Sequence, residues 1–385
     1  MPRTQRSKSS TTLRRKSSSK VLRVAKEASN EIAAQVVSLI DEVMRSQYKR
    51  HPELEKRYGE AGKKRCREDI DFHFCTLSEA LMLEEPTLWL NYVAWGKIVL
   101  VSRRIRLDDL IDTLAIMQEV ISAKLTERSA AIANEYIQMA IDKFDSFPDA
   151  PPSYIDPCAP LQNVANQYLQ ALLSVDRNEA RKLIRTAIQT GTRVQDVYRY
   201  VFEPVQREVG RLWQMNHISV AQEHYCTATT ELLMSEIYRD KAEIDRGPHF
   251  FLGTCVAGVQ HSLGIRMLSD LLGSNGWKVY FTGANTPSAS LVELLRRFKV
   301  DVLGISAATS MDLAQVRQLI AAVRSSSKTK TKILIGGRIF NEYPTLWKKV
   351  GADAFAKDAL AGVQMAYKLV SSGAKTGNRS RGKLK

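Results

Sequence analysis

Apolar residues recur at three- and four-residue intervals through the first part of the chain. The stretches SNEIAAQVVSLIDEVMRSQ and LDDLIDTLAIMQEVISAKL both show this spacing. Between them, RCREDIDFHFCTLSEALML and PTLWLNYVAWGKIVLVSRR continue the same pattern. Because this spacing is typical of amphipathic helices, residues 21–147 are predicted to form an all-helical domain.

A cluster of prolines then interrupts the helical pattern. The stretch SFPDAPPSYIDPCAP predicts a linker over residues 148–160, because proline lacks a backbone donor and disfavours helix in the residue before it. Helical periodicity resumes over residues 161–246, with breaks near Asp176, Gly191 and Asn216. This length and these breaks predict a four-helix bundle.

The period of the pattern changes after residue 246. Short β-branched or aromatic runs, HFFLGTCV, WKVYFTG, VDVLGIS, TKILIGG and ADAFA, alternate with helical stretches such as SASLVELLRRFK. This alternation predicts a doubly wound, five-stranded parallel sheet over residues 247–374. Ligands of such sheets bind at the carboxyl ends of the strands, near the switch in strand order.

The net charge of +15 lies entirely in the two ends of the chain. Nine basic residues precede Glu27 and six follow Asp358, with no acidic residue among them. Residues 1–20 and 375–385 are therefore predicted to be disordered basic tails. A solubilising role is favoured for them, and weak, salt-sensitive contact with nucleic acid is the alternative.

The chain offers no sign of secretion or membrane insertion. It contains no apolar run of membrane-spanning length, and its first residues lack the apolar stretch of a signal peptide, so a cytoplasmic protein is expected. The cysteines are odd in number and scattered, without the C-x-x-C spacing of a zinc site. They are expected to be reduced.

A candidate ligand site follows the predicted strands. His261 comes after the first strand and Gly264 three residues later, Ser306 ends the third strand, and Gly336 and Gly337 close the fourth. An imidazole nitrogen is a good ligand for cobalt, and glycine leaves room for a bulky group beside a turn.

This H-x-x-G, S, GG pattern resembles the Rossmann-like cobalamin-binding domain of methionine synthase, corrinoid methyl-carrier proteins and certain light sensors. The resemblance implies that His261 is the lower axial ligand of cobalt. It also implies that the nucleotide tail of cobalamin lies in a slot beside Gly264, Ser306 and the glycine pair. The family has Asp or Glu two residues before the histidine, whereas this chain has Val259. That difference argues against a methyl-transfer cycle.

The predicted four-helix bundle contains a second motif, W-x9-E-H, formed by Trp213, Glu223 and His224. It resembles the cap of the adenosylcobalamin light sensors, which implies that Trp213, Val220, Glu223 and His224 cover the upper face of adenosylcobalamin. In those sensors a histidine after the tryptophan takes the upper position once light has acted. Gln214 stands there in this chain, and His217 and His224 are the alternatives.

The first helical domain resembles the globin-like domain of the photocobilins, which bind cobalamin and a linear tetrapyrrole such as biliverdin. Asp69 and His73, four residues apart on one helical face, would serve the pyrrole nitrogens. Cys75 is a candidate for covalent attachment, with a structural role as the alternative. The candidates for binding the propionates are Arg65, Arg67, Arg103 and Arg104.

These resemblances together predict a cobalamin-dependent photoreceptor rather than an enzyme. Light would cleave the cobalt–carbon bond of adenosylcobalamin and change contacts between domains, with biliverdin as a second candidate chromophore. A corrinoid methyl carrier of a methyltransferase system is the alternative, and an antirepressor or scaffold that senses cobalamin is a third hypothesis. A homo-oligomer or a protein effector is the expected partner.

Overall fold

The computed structural model describes the backbone of residues 8–241, 247–326 and 330–374. The chain divides into two compact units, Met1–Ala150 and Pro151–Lys385. Residues 1–7 and 375–385, which belong to the predicted tails, lie outside the described residues. Residues 8–20 differ from the prediction of disorder, because they form the first turns of a long helix. No proline or glycine interrupts that stretch, so the helix can propagate through it.

All regular secondary structure that the structure describes in the first unit is helical, as the sequence predicts. Its core is formed by apolar side chains at helical spacing, such as Ile32, Leu39 and Val43, which are completely buried. Phe74 and Trp89 are also completely buried in this unit. The α-helices are α1 Lys8–Arg50, α2 Glu53–Met82, α3 Pro86–Ser102, α4 Leu107–Lys124 and α5 Glu127–Lys143.

The second unit begins with four helical segments, here called the cap. Asp176 caps the second of them by accepting a hydrogen bond from the backbone N–H of Glu179 at 2.9 Å. Gly191 and Asn216, both with positive φ, lie in the turns that follow the second and third segments. The segments are α6 Gln162–Leu173, α7 Arg177–Gln189, α8 Val194–Val197 continued by a π-helical turn Tyr198–Phe202 and α9 Glu203–Gln214, and finally α10 Val220–Lys241.

A five-stranded parallel sheet follows the cap, which confirms the predicted fold class. The strand order is β2-β1-β3-β4-β5, so the order reverses between β1 and β3. The strands are β1 Phe250–Val256, β2 Lys278–Thr286, β3 Val302–Ser306, β4 Lys332–Gly336 and β5 Ala354–Phe355. The helices around them are α11 Leu263–Ser274, α12 Ser288–Arg297, α13 Leu313–Ser325, α14 Arg338–Glu342, α15 Leu346–Lys349 and α16 Ala359–Ala374.

The register of the central strands brings their carboxyl ends to one level. Cys255 of β1 pairs with Ser306 of β3, and Ser306 pairs with Gly336 of β4. The loops that carry the candidate ligand residues therefore begin side by side at one edge of the sheet. Among the described residues, no helix is both long enough and apolar enough to cross a bilayer.

Candidate functional site

The loop between β1 and α11 is fixed by the end of β2. Gly258 donates its backbone N–H to Oδ1 of Asn285 at 2.7 Å, and the backbone N–H of Asn285 donates to the carbonyl of Val259 at 2.9 Å. Val259 is only 2% exposed, so its side chain anchors the loop in the core. Asn285 adopts a positive φ of 51°, which asparagine tolerates better than most residues. The loop is therefore held before it reaches His261.

His261 lies at the end of this loop with an exposed side chain. Its backbone carbonyl accepts a hydrogen bond from the thiol of Cys255 at 3.5 Å. Cys255 is completely buried, and burial together with the charge of Asp312 raises the pKa of its thiol to about 12. The thiol consequently keeps its proton at neutral pH and remains a donor. The main chain of His261 is thus fixed while its imidazole is free to face a ligand.

Gly264 and Ser306 are neighbours in space, as the sequence predicts. A Cβ atom added to Gly264 would meet the Oγ of Ser306 at 3.9 Å, which is ordinary van der Waals contact. Ser306 is 7% exposed and Gly264 is exposed, so the hydroxyl lies at the floor of an opening next to the start of α11. A long side chain at position 264 would fill this opening.

The glycine pair is also placed by close contacts within the protein. A Cβ atom on Gly337 would lie 2.0 Å from the carbonyl oxygen of Ala307, and the φ of Gly337 is +102°. A Cβ atom on Gly336 would lie 3.1 Å from the carbonyl oxygen of Ala356. The backbone of the neighbouring loop therefore requires glycine at position 337, whereas a Cβ atom at position 336 would make only a tight contact. The role of the pair beside a ligand stays a prediction.

Asp312, which has no counterpart among the residues predicted from the sequence, orders the loop after β3. Its Oδ2 accepts hydrogen bonds from the backbone N–H groups of Ala308 at 2.7 Å and Thr309 at 2.9 Å. Thr309 and Asp312 also form a capping box, whose T-x-x-D spacing is visible in the sequence. The loop next to Ser306 is therefore tied to the start of the following helix by side-chain hydrogen bonds.

In the cap, the structure brings Glu223 and His224 into direct contact. The Nδ1 of His224 lies 2.6 Å from Oε2 of Glu223, and the hydroxyl of Thr227 donates to Oε1 of Glu223 at 3.0 Å. Val220 is 51% exposed at the start of the same helix, α10. Trp213 is partly buried on the neighbouring helix α9, where it packs against the cap core.

Gln214 is 8% exposed, so it belongs to the interior of the cap. The contacts of Thr227 extend into that interior, because its hydroxyl also lies 3.1 Å from Oε1 of Gln206. Gln206 in turn donates to the hydroxyl of Thr230, which is hydrogen-bonded to Tyr168. The Thr227 hydroxyl has one proton, so it donates either to Glu223 or to Gln206, and the polar contacts of Gln206 with Thr230 and Tyr168 lie directly behind it.

The predicted bilin residues of the first unit have protein partners. The Nδ1 of His73 lies 2.8 Å from the hydroxyl of Tyr92, and its ring packs edge-on against the rings of Tyr92 and Trp89. Burial lowers the pKa of His73 to about 4, so the imidazole is neutral at physiological pH. Burial, with a further contribution from Glu68, raises the pKa of Asp69 to about 6.

Two of the arginines predicted to bind propionates also have protein partners. Arg67 pairs with Asp41 at 2.6 Å, and Arg103 donates to the carbonyl of Val99 at 3.2 Å. Arg104 adopts a positive φ of 56° in the turn after α3. Burial, with the charge of Asp71, raises the pKa of the Cys75 thiol to about 11, which makes this cysteine a poor nucleophile at neutral pH.

Two parts of the second unit match known protein families. Residues 251–364 match a family described as B12 binding domain, and residues 164–238 match a further family with the same description. These matches support a cobalamin-binding protein. The first of them contains His261, Gly264, Ser306 and the glycine pair, and the second contains Trp213, Glu223 and His224. Residues 1–150 lie outside both matches.

Several characterised proteins are similar to this cobalamin-binding region. Dimethylamine corrinoid protein 3 of Methanosarcina mazei is 29% identical over 118 residues, which are 30% of this chain and 69% of that protein. The dimethylamine corrinoid protein of Methanosarcina barkeri is 28% identical over 118 residues, 30% of this chain and 54% of that protein. The structure of the monomethylamine corrinoid protein of Methanosarcina barkeri is 19% identical, with a TM-score of 0.48, and covers 55% of this chain and 100% of that one.

The comparisons correct the predicted function. The similar proteins are named as corrinoid proteins of methylamines, so the predicted photoreceptor is wrong and the methyl-carrier alternative is favoured. The matches support a cobalamin cofactor, but they lend no support to the adenosyl form, to biliverdin or to nucleic acid. The physical reason for the error is the shortness of the W-x9-E-H motif, because a helical cap with a tryptophan and a carboxylate does not specify which group it covers.

Proposed function

We propose that this chain is a corrinoid protein that carries a methyl group between partner proteins, and that it is a carrier rather than a catalyst. The observation that carries the proposal is the position of His261. Its exposed imidazole follows β1 at the switch in strand order, inside the region that matches the B12 binding domain. Ligands of doubly wound sheets bind at this point.

The residues around His261 fit a corrin cofactor. Imidazole nitrogen is a suitable ligand for cobalt, and the main chain of His261 is held by Cys255. The opening between Gly264 and Ser306 provides space and one hydroxyl for a polar tail. Bound cobalamin would supply a cobalt centre able to carry a methyl group.

Hydrogen bonds with Asn285, rather than a carboxylate, orient the loop that carries His261. Val259 occupies the position of the family's Asp or Glu and is buried, so it offers no side-chain partner to the imidazole. The loop is instead fixed by Asn285, which contacts the backbone on either side of the Gly258–Val259 peptide. Proton exchange at His261 would then occur with water or with a partner rather than with a neighbouring carboxylate.

The cap would protect the opposite face of the cofactor. Trp213 offers a flat apolar surface, Val220 an exposed apolar side chain, and Glu223 a carboxylate held by Thr227 and His224. Such a surface would exclude water from a reactive group. A carrier must also release its cargo, so methyl donor and acceptor proteins are the expected partners of this unit.

Binding of cobalamin to the full-length protein tests the proposal. The protein should bind methylcobalamin in the dark with the absorption spectrum of histidine-coordinated cobalt. His261→Ala should convert that spectrum to the form without histidine and weaken binding, whereas His51→Ala, on the surface of the first unit, should change neither. If the protein binds no form of cobalamin, or if the spectrum of His261→Ala equals that of the parent, the proposal fails.

A further inference from the structure

Cap helix α10 is attached to α11, the helix that begins directly after His261. Glu231 and Ser235 lie four residues apart on α10, and Ser262 and Arg266 have the same spacing at the start of α11. The hydroxyl of Ser262 donates to Oε1 of Glu231 at 3.4 Å, and Nη2 of Arg266 donates to the hydroxyl of Ser235 at 2.6 Å. Because residues four apart share a helical face, these contacts form one row between the two helices.

Ser262 uses its side chain in an unusual way. It is the N-cap residue of α11 but makes no side-chain capping hydrogen bond. An N-cap serine ordinarily accepts a hydrogen bond from the first turn of its own helix. Here the hydroxyl, which belongs to a residue only 8% exposed, is directed to the carboxylate of Glu231 instead. The first turn of α11 is thereby anchored by the cap.

The row of contacts continues along α11. Tyr198, in the π-helical turn of the cap, donates its hydroxyl to Oδ2 of Asp270 at 3.0 Å. Met267 and Leu271 of α11 belong to the same buried apolar cluster as the cap residues Leu233 and Met234. The cap and α11 therefore share one core, and a displacement of α10 cannot leave α11 unaffected.

We propose that Glu231 is a positioning residue for His261, and that it couples the position of the cap to the lower face of the cobalamin site. This inference rests on the proposed function. Helix α10 carries Glu223 and His224 two turns before Glu231, so one rigid element reaches the residues that would cover the upper face and the residue that follows the lower ligand. When the cap moves to expose a methyl group, Ser262 loses its anchor and the His261 loop gains freedom.

Three variants of the full-length protein test this coupling. Glu231→Ala removes the acceptor, whereas Glu231→Gln keeps an oxygen that can accept from Ser262. Glu236→Gln is the matched control, because Glu236 lies on the same helix but pairs with Arg181 inside the cap at 2.7 Å. The readout is the ratio of histidine-coordinated to histidine-free spectra of bound methylcobalamin.

Glu231→Ala should lower this ratio about fivefold, the effect of losing one hydrogen bond of ordinary net strength, because the contact between Ser262 and Glu231 is long at 3.4 Å. In Glu231→Gln and Glu236→Gln the ratio should stay within about twofold of the parent's, because the hydroxyl of Ser262 still has an acceptor in both variants. In cofactor-free protein, amide exchange of residues 259–266 should accelerate in Glu231→Ala and remain unchanged in Glu236→Gln.

The outcomes separate this inference from the proposed function. If His261→Ala abolishes the histidine-coordinated spectrum but Glu231→Ala retains the ratio and the exchange rates of the parent, the coupling is disproved and the carrier proposal stands. If Glu231→Ala does not fold, Ser262→Ala tests the coupling instead, because it removes the donor of the same hydrogen bond. An unchanged ratio and unchanged exchange in Ser262→Ala would equally overturn the coupling.

Discussion

Gly264 and Ser306 face each other at the carboxyl edge of the sheet, although 42 positions separate them in the chain. A Cβ atom on Gly264 would touch the Ser306 hydroxyl at 3.9 Å and meet nothing else within 4 Å. The pair therefore defines the width of the opening beside His261. One methyl group can enter this opening without a clash, but a large side chain would occupy it.

This geometry predicts a graded response to substitution of Gly264. Gly264→Ala should bind cobalamin nearly as well as the parent, because its methyl group makes only ordinary contact with Ser306. Gly264→Leu should weaken binding at least about tenfold, the equivalent of about 1.4 kcal/mol, since its side chain fills the opening. Titration of cobalamin by absorption measures both affinities. Equal affinities of Gly264→Leu and the parent would show that the tail of the cofactor does not use this opening.

Gly337 and Gly191 provide a comparison between two glycines with almost the same φ, +102° and +103°. Gly191→Ala should cost only about 1 to 2 kcal/mol, the strain of a left-handed residue, because nothing lies within 4 Å of the added Cβ. Gly337→Ala should cost more, because its Cβ would lie 2.0 Å from the carbonyl oxygen of Ala307. Denaturant unfolding of both variants measures the difference. Similar losses of stability would contradict the close approach at Gly337.

The lowered pKa of His73 makes a prediction about pH. Because the folded state holds this imidazole with a pKa of about 4 and the unfolded state with an ordinary value near 6.5, the unfolded state binds more protons between these values. The free energy of unfolding should therefore fall as the pH drops from about 6.5 to about 4, by at most about 3 kcal/mol from this group. Above pH 6.5 the stabilisation that the neutral His73 contributes is fully present.

His73→Gln isolates this effect, because glutamine retains a polar group opposite Tyr92 but does not titrate. The difference in unfolding free energy between the variant and the parent should change across this pH window and stay constant above it. The comparison with the parent is needed since Asp69, whose pKa is raised to about 6, contributes the opposite slope. Titration of the His73 ring by NMR gives an independent check, and a midpoint near 6.5 would refute the prediction.

Local patterns in the sequence predict much of the fold. Apolar spacing of three and four residues predicts the helices of both units, because burying one helical face depends on residues close together in the chain. Short apolar runs between helices likewise predict the parallel sheet, and the structure confirms it. The first turns of α1 are an exception, because composition predicts disorder where the helix extends to Lys8.

The candidate site was accessible to sequence reasoning only in part. The sequence predicts the places of two residues: Ser306 ends β3, and His261 lies in the loop after β1. They lie at the same edge of the sheet because parallel strands bring their carboxyl ends together. The predicted role of Gly336 and Gly337 beside a ligand stays a prediction, and the sequence did not reveal the close approach of Gly337 to Ala307. Close contacts between backbones of separate loops have no local signature in a sequence.

The amino-acid sequence by itself determined the order of helices and strands and the position of His261 after the first strand, since both depend on neighbouring residues. Only the tertiary structure decided what holds that histidine: Asn285 binds the backbone of Gly258 across 27 positions, and Glu231 accepts from Ser262 across 31. Such contacts are fixed by how helices and strands pack, and packing joins residues that no periodicity relates.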